Sequence, residues 1–493
     1  MPARLGGRGS IASLCKALLR DCTRPVVALM VILSIVTVAY LPTLNYALHG
    51  DDYVALLDML TKSTSRHIWD AFTFQDTDFY WRPLGHVYYN VTYLIAGFDS
   101  RAFHAANLIV FLVTLVGLYH FCLRFGLSAG AALVTVLFFG IFPNQVVSVA
   151  WVTNGPRLVA MMFFVFSLLC LQGGISRSSF WLEALAWLCF LLACLCDEVS
   201  LALAPVPVLF SLYVHGWQGH FRPLAFRTLA YGLVAVLLIP PQFMFTLDDE
   251  PRLRRYHLSL DVLHQGWALT SQLVLPLARS NPMDVPLSRI SDAQWAGGAL
   301  AIAAGVALLI FGTWRMRLLV VWLAAALSPF VLWDIKVESP RYVYMAGIPL
   351  AIIVGILTTE ALARLKRPYL RITATGFVVA ALAVMSVVGV YVTNQRNNDF
   401  ERSARPYHVL ATGLKQELPD LPHGARVVIH DGVWNAFWVW PQVTVQAEYR
   451  DTSLRVVSVP PNFAAPPPQP GDIQVYYRAT TGSFTTAAPS VMH

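Results

Sequence analysis

The chain has 493 residues, 56% of them hydrophobic and only 13% charged, with a mean hydropathy of +0.57. A soluble globular protein carries roughly 25% charged residues, so a water-soluble enzyme is excluded and the bilayer is the expected solvent. The net charge of +7 does not point to nucleic acid, because its arginines and lysines flank alternate apolar runs, as topology signals do.

Those basic clusters are Arg4, Arg8, Lys16, Arg20 and Arg24, then Arg222 and Arg227, Arg315 and Arg317, and Arg364, Lys366, Arg367 and Arg371. Residues 1–25 read as a basic cytoplasmic N-terminus. The apolar run that follows lacks a small-x-small cleavage site and is read as an uncleaved first span. Spans are expected near 26–44, 103–123, 128–143, 157–172, 180–196, 199–214, 228–245, 295–312, 318–333, 342–362 and 373–393. The segment 84–97 is short and rich in Tyr, which suits an interfacial helix, and 257–278 is ambiguous in the same way. The expected fold is an all-α polytopic membrane protein of about eleven transmembrane helices over 26–393, with external loops at 45–101 and 246–295. The N-terminus lies inside and the C-terminus outside.

The tail, 394–493, is expected to form a small β-rich extracytoplasmic domain. Alternation predicts strands at Arg426 to His430, Val443 to Tyr449, Leu454 to Val459 and Ile473 to Tyr477, interrupted by the Pro-rich segment 460–470. All seven cysteines fall in spans or on the inner side, so no structural disulfide is expected. There is no internal repeat, no Walker-type loop and no G-x-G-x-x-G after a strand. An activated substrate used outside the membrane must therefore arrive attached to something, and a lipid is the natural carrier.

Chemistry-bearing residues fall mostly at the outer ends of spans. His49-Gly50-Asp51-Asp52 follows the first span, where adjacent carboxylates at a membrane edge are exposed, paired or used. One can act as a general base while the other orients a hydroxyl or a divalent cation, for which the sequence offers no further support. A solvated helix cap is the plain alternative. Arg82 beside Pro83 suits a phosphate at headgroup depth. Asp197-Glu198 fills a tight turn between spans. Arg157, Arg252, Arg254, Arg255, Lys336 and Arg341 are cations on the side where positive charge is depleted; Asp248-Asp249-Glu250 could pair with three of them.

Taken in order, these motifs resemble the GT-C superfamily of membrane glycosyltransferases, most of all the branch with bacterial Rgt-type lipopolysaccharide glycosyltransferases and protein O-mannosyltransferase-like enzymes. Asp51-Asp52 match the acidic motif after the first span. Tyr80 to Leu84 and Phe103-His104-x-x-Asn107 are similar to two further elements. Phe142-Pro143 through Trp151 to Arg157, Asp197-Glu198 with Pro205, and Glu338 to Tyr344 complete the series. The chain departs from that branch at Phe142, Val147, Asp197 and Phe111.

The resemblance implies a polyprenyl-phosphate sugar donor and an envelope acceptor: a glycolipid such as lipid A or core, a polysaccharide, or a protein. It implies a bacterial inner-membrane location. In this reading Asp52, or alternatively Asp51, is the base, and Arg82, Arg157 and Arg341 bind the donor phosphate. Glu198 and Asp197 form a second acidic site, with His49, His104, Asn107, Glu338 and Tyr342 in support and no metal assigned. A transporter or flippase of a lipid-linked sugar, and an inactive GT-C-like assembly protein, are the competing readings.

Overall fold

Inside a bilayer each segment must satisfy its own backbone hydrogen bonds, so the apolar runs become helices. The computed structural model describes residues 25–73, 75, 81–215, 221–243, 261–275, 285–286, 290–332, 337–338, 340–430, 440–461, 465–478 and 481–486. The first span is α1 (Pro25–Tyr40), closed by a 3-10 turn at Leu41–Asn45. Three short helices follow outside it: α2 (Gly50–Thr61), α3 (Thr64–Phe72) and α4 (Pro83–Ala96), the last filling the expected interfacial segment. Then come α5 (Ser100–Arg124), α6 (Ala129–Ile141), the short buried α7 (Gln145–Ala150) and α8 (Gly155–Arg177). A turn from Asp197 separates α9 (Phe180–Cys196) from α10 (Pro205–His215), and α11 (Phe221–Phe243) follows.

The ambiguous segment 257–278 contains a helix, α12 (Asp261–Val274), which packs against α13 (Asp292–Phe311) and α14 (Trp314–Leu332). A 3-10 turn at Pro340–Val343 leads into α15 (Gly347–Ala363). Among the described residues seven helices are long and apolar enough to cross a membrane. Four shorter apolar stretches, Ala129–Ile141, Phe180–Cys196, Glu198–Val214 and Gly347–Ala363, join them. Seven and four account for the eleven runs read from the sequence. The bundle is apolar outside as well as inside: Phe311 is 85% exposed and Phe377 75%, a surface suited to lipid.

Helix α16 (Pro368–Glu417) has 50 residues, about 75 Å at 1.5 Å per residue, so it leaves the bilayer without a break at 393. Its far half buries Phe400, Ala404, Leu410 and Leu414 against the loop after α1 and the C-terminal sheet. That sheet has the order β4-β3-β5-β6, where β3 is Arg426–His430, β4 Arg455–Val459, β5 Ile473–Arg478 and β6 Ser483–Thr485. β4 and β5 run parallel to β3, and β6 is antiparallel to β5. A two-residue ribbon, β1 (Val285–Pro286) with β2 (Val337–Glu338), lies elsewhere. The described part of the Pro-rich segment, 465–470, is irregular and connects β4 to β5.

One strand expectation is corrected. Residues 443–449 belong to α17 (Trp440–Tyr449), which packs on α2 and links β3 to the parallel β4. Parallel neighbours need a crossover, and the continuous burial from Thr444 to Ala447 is not the alternation of a strand with one buried face. None of the five described cysteines forms a disulfide.

Candidate active site

The acidic motif opens α2, with His49 as the N-cap. The two carboxylates differ in surroundings. Asp52 is fully buried, accepting a hydrogen bond from the His49 amide at 2.8 Å and two from Thr153, amide at 2.7 Å and hydroxyl at 2.5 Å. Burial pushes its carboxyl up to about 7, against the pull of these donors. Asp51, one residue earlier, points elsewhere and is only half-buried, on the first turn of a helix whose amide end favours negative charge.

His49 is boxed in by aromatic rings: Trp440 at 5.3 Å, Trp151 and Tyr407 at 5.4 Å, and Phe400 at 6.0 Å. Burial, with the charge of Arg341, pushes its imidazole down to about 3, so it is neutral at ordinary pH. Gly50 is required by this packing, since a Cβ there would lie 2.6 Å from Trp440 Cγ.

Three of the expected cations, Arg82, Arg157 and Arg341, come together near Trp151. The Arg341 guanidinium lies 4.6 Å from the Trp151 ring centre and 5.2 Å from that of Tyr342, and its Nη2 donates to the Tyr342 hydroxyl at 3.3 Å. Arg157 donates through Nη1 to the Arg341 carbonyl at 3.4 Å and through Nε to Asp197 at 2.6 Å. Asp197 also caps its own turn by accepting from the Val199 amide at 3.1 Å. Arg82 reaches Asp197 at 3.7 Å and clasps Glu198 with Nε and Nη2, both at 2.7 Å. Arg82, Arg157, Arg341, Asp197 and Glu198 thus form one network. Among the described residues this network holds three guanidiniums and two carboxylates.

Asn107 and His104 occupy the layer beneath. Asn107 accepts from the Tyr88 hydroxyl at 2.6 Å and donates to the carbonyls of Val149 and Trp151 at 3.2 and 3.0 Å, which fixes the turn carrying Trp151 and Thr153. His104 is fully buried, its ring 6.4 Å from Tyr46. Tyr342 is buried against Phe330 at 4.8 Å. The Glu338 side chain lies outside the described residues, as do Tyr80, Asp248-Asp249-Glu250, Arg252, Arg254, Arg255 and Lys336.

Several contributors carried no signal in the sequence. Thr153 and Trp440 enter only through tertiary contacts. On the C-terminal half of α16, Arg396 donates to Pro143 O at 2.9 Å, Asn397 to Ala39 O at 3.2 Å, and Glu401 accepts the Ala47 amide at 3.1 Å. Arg396 and Glu401 thus clip both loops of the site to one helix, and Asn397 ties that helix to the end of α1.

The residues do not fit a divalent cation held by Asp51 and Asp52. The oxygens of Asp52 are engaged by internal donors, leaving Asp51 as a single ligand, and no group of three His, Cys, Asp or Glu side chains gathers among the described residues.

No protein-family model and no curated protein matches the sequence. Solved structures do. The archaeal oligosaccharyltransferase AglB from Archaeoglobus fulgidus, in complex with an inhibitory peptide and a dolichol-phosphate, superposes with a TM-score of 0.52 at 13% identity, over 88% of this chain and 65% of that one. The apo form of the Archaeoglobus fulgidus oligosaccharyltransferase gives 0.51 at 11% identity, over 90% and 65%. ArnT from Cupriavidus metallidurans bound to undecaprenyl phosphate gives 0.49 at 15% identity, over 88% and 86%. The chain spans 65% of the oligosaccharyltransferase's length and shares its fold, the GT-C fold.

Proposed function

We propose that this multi-pass membrane protein is a glycosyltransferase that moves a sugar from a polyprenyl-phosphate donor to a hydroxyl of an envelope glycolipid, polysaccharide or protein. The reaction takes place at the outer face of a bacterial inner membrane, with the N-terminus cytoplasmic and the C-terminal domain outside. One observation carries the reading. The start of the acidic helix and the arginine network meet at a single indole, with the His49 ring 5.4 Å and the Arg341 guanidinium 4.6 Å from the centre of the Trp151 ring. A transfer that deprotonates an acceptor and releases a phosphate needs those two charges close together but apart. The dolichol-phosphate bound to the oligosaccharyltransferase of the same fold supports a lipid-phosphate donor.

In this reading Asp51 is the base and Asp52 positions it, because the lone pairs of Asp52 already accept three internal hydrogen bonds. Asp51 takes the acceptor's proton, and the acceptor oxygen bonds to the sugar's anomeric carbon. The bond from that carbon to the phosphate oxygen breaks, with inversion, and its electron pair leaves on the polyprenyl phosphate. Arg341 and Arg157 stabilise the departing charge, while Arg82 and Glu198 hold Asp197 and Arg157 in place.

The test uses membranes from cells lacking or carrying the gene, supplied with radiolabelled undecaprenyl-phosphate sugars. Label moving into an envelope acceptor, and lost with Asp51→Asn, is the expected result. Label that only changes leaflet would make the chain a flippase, and no movement beyond the gene-less control would refute transfer.

A further inference from the structure

Helices α3 and α4, which pack on each other outside the first span, are built inside out. Four of their polar side chains, His67, Asp70, His86 and Asn90, are buried. His86 Nδ1 lies 3.0 Å from His67 Nε2, and Asn90 donates through Nδ2 to His67 Nδ1 at 2.9 Å and to His86 O at 2.8 Å. Lys62 and Arg66 reach Asp70 at 3.2 and 2.8 Å. The large apolar side chains point the other way. Trp69 and Phe72 on α3, and Val91, Leu94 and Ile95 on α4, are exposed, Leu94 by 66% and Ile95 by 81%. Both sets fall at spacings of three and four, one stripe on each helix.

A helix in water turns its apolar stripe to the core, so this arrangement calls for a second apolar medium. Chain geometry says which one. Only Gly97, Phe98 and Asp99 separate the end of α4 from α5, one of the membrane-crossing helices. At its other end Arg82 clasps Glu198 in the turn between the apolar helices α9 and α10. Both ends of α4 thus lie at span ends, and its 14 residues, about 21 Å, run along the membrane surface. An apolar stripe at that depth meets acyl chains, and Arg66, exposed one turn from Trp69, stands where headgroups lie.

The protein-facing side of α4 holds the candidate active site. The Tyr89 hydroxyl donates to Thr153 O at 3.2 Å, and the Tyr88 hydroxyl to Asn107 at 2.6 Å. A Cβ on Gly85 would lie 2.8 Å from Pro156 Cγ, so the two backbones touch there. The turn gripped in this way carries Thr153, which holds Asp52. We infer that α3 and α4 form a lipid-seated platform: acyl chains on the active-site side of the membrane hold their apolar faces, and through Tyr89 and Arg82 that seat fixes the turn at Thr153. The seat follows from the two helices alone, and its effect on transfer rests on the function proposed above.

The full chain in nanodiscs of phosphatidylglycerol and phosphatidylcholine tests both parts. Benzoylphenylalanine replaces Leu94 in one sample and Gln469, exposed in the Pro-rich segment, in the other. Illumination is expected to give a phospholipid adduct at position 94 and none at 469; no adduct at 94, or equal adducts at both, overturns the seat. Hydrogen exchange reads the coupling. Leu94→Ser with Ile95→Ser should speed exchange about tenfold in 83–96 and also in 149–155, where the Thr153 amide is bonded to Asp52. Leu94→Ala with Ile95→Ala, which trims the stripe without adding polar groups, carries the comparison if the serine variant does not fold.

Faster exchange confined to 83–96 would leave the seat without a hold on the site, and unchanged exchange in both segments would show that lipid does not hold the helix; each result overturns the inference. Transfer by the serine variant should fall about tenfold, and an unchanged rate would equally break the link to the site. A wild type that moves no sugar, yet shows the adduct and the coupled exchange, refutes the proposed function and supports the platform.

Discussion

The Thr153 hydroxyl donates to the Asp52 carboxylate at 2.5 Å, and the Thr153 amide donates to the same oxygen at 2.7 Å. Residues a hundred positions apart in the chain are thereby one unit: the start of α2 cannot move without the turn that carries Trp151. Asp52→Ala would leave those donors and the His49 amide unpaired in a buried site, at about 1–3 kcal/mol each if nothing relaxes. Asp51→Asn touches none of them. We therefore expect Asp52→Ala to lower the unfolding temperature by many degrees. Asp51→Asn should leave it nearly unchanged while cutting transfer by roughly 10²–10⁴-fold, as loss of a general base does. Thermal unfolding in detergent and the membrane transfer assay, run on both variants, separate the two roles; the reverse pattern would return the base to Asp52.

The pH dependence of stability follows from the same corner. Burial lifts Asp52 from 3.8 to about 7, and burial with the charge of Arg341 lowers His49 from 6.5 to about 3. The Asp52 contribution is fully present below its unfolded value and is lost as pH rises through about 7. The His49 contribution is present above 6.5 and lost as pH falls toward about 3. Between about 4 and 6.5 the folded chain holds one extra proton at Asp52 and lacks one at His49, so the two slopes cancel. Each single variant should expose the other slope. With Asp52→Asn the unfolding temperature should rise with pH across that window, and with His49→Gln it should fall. Melting curves at several pH values decide it, and parallel curves for the two variants would contradict both shifts.

The Arg82–Glu198 pair is bidentate and nearly enclosed, with side chains 15% and 11% exposed. Removing one partner strands the other, although Asp197 at 3.7 Å partly compensates Arg82. Glu198→Leu is expected to destabilise by about 2–3 kcal/mol, toward the low end for a broken buried pair because some solvent remains. The double variant Arg82→Leu, Glu198→Leu should be less destabilised than the two single changes summed, by about 1–3 kcal/mol. Strict additivity in denaturant unfolding would show the pair to be energetically idle.

The membrane part was legible because hydropathy over some twenty residues is a strong signal, and because cations that break the positive-inside pattern stand out. Arg157 and Arg341 were visible in that way, Arg82 through the proline beside it and Asp197-Glu198 as an acidic pair in a tight turn, and all five meet in one network. What stayed hidden depended on contacts that no local pattern encodes. Asp51 and Asp52 are identical residues, and burial with the donors from Thr153 and His49 sets Asp52 apart. The stretch from Asn394 onward is polar and reads as the start of the C-terminal domain, yet it continues α16 because Arg396 and Glu401 find backbone partners in the loops they cross and Asn397 one at the end of α1. Val443 to Tyr449 alternates like a strand, but a helix is needed there to return the chain between parallel neighbours.

Gly50 and Trp440 give the most direct test of how the C-terminal domain serves the site. An alanine Cβ at position 50 would sit 2.6 Å from Trp440 Cγ and 2.8 Å from its ring, closer than any real contact. The indole cannot simply withdraw, because His49 lies 5.3 Å from it on one side and Tyr407 5.8 Å on another. Gly50→Ala must therefore push the first turn of α2, and Asp51 with it. A displacement of about 1 Å at a catalytic group costs up to roughly 100-fold in rate, and overpacking of this kind about 1–3 kcal/mol in stability. Trp440→Ala in the same chain removes the colliding ring, leaving a cavity but freeing the helix start to return. The double variant should then transfer sugar about tenfold faster than Gly50→Ala alone, part of the rate lost by displacement. Recovery without any gain in unfolding temperature would tie Trp440 to the position of Asp51 rather than to stability. A double variant no faster than Gly50→Ala would show that the domain does not set the base through this contact.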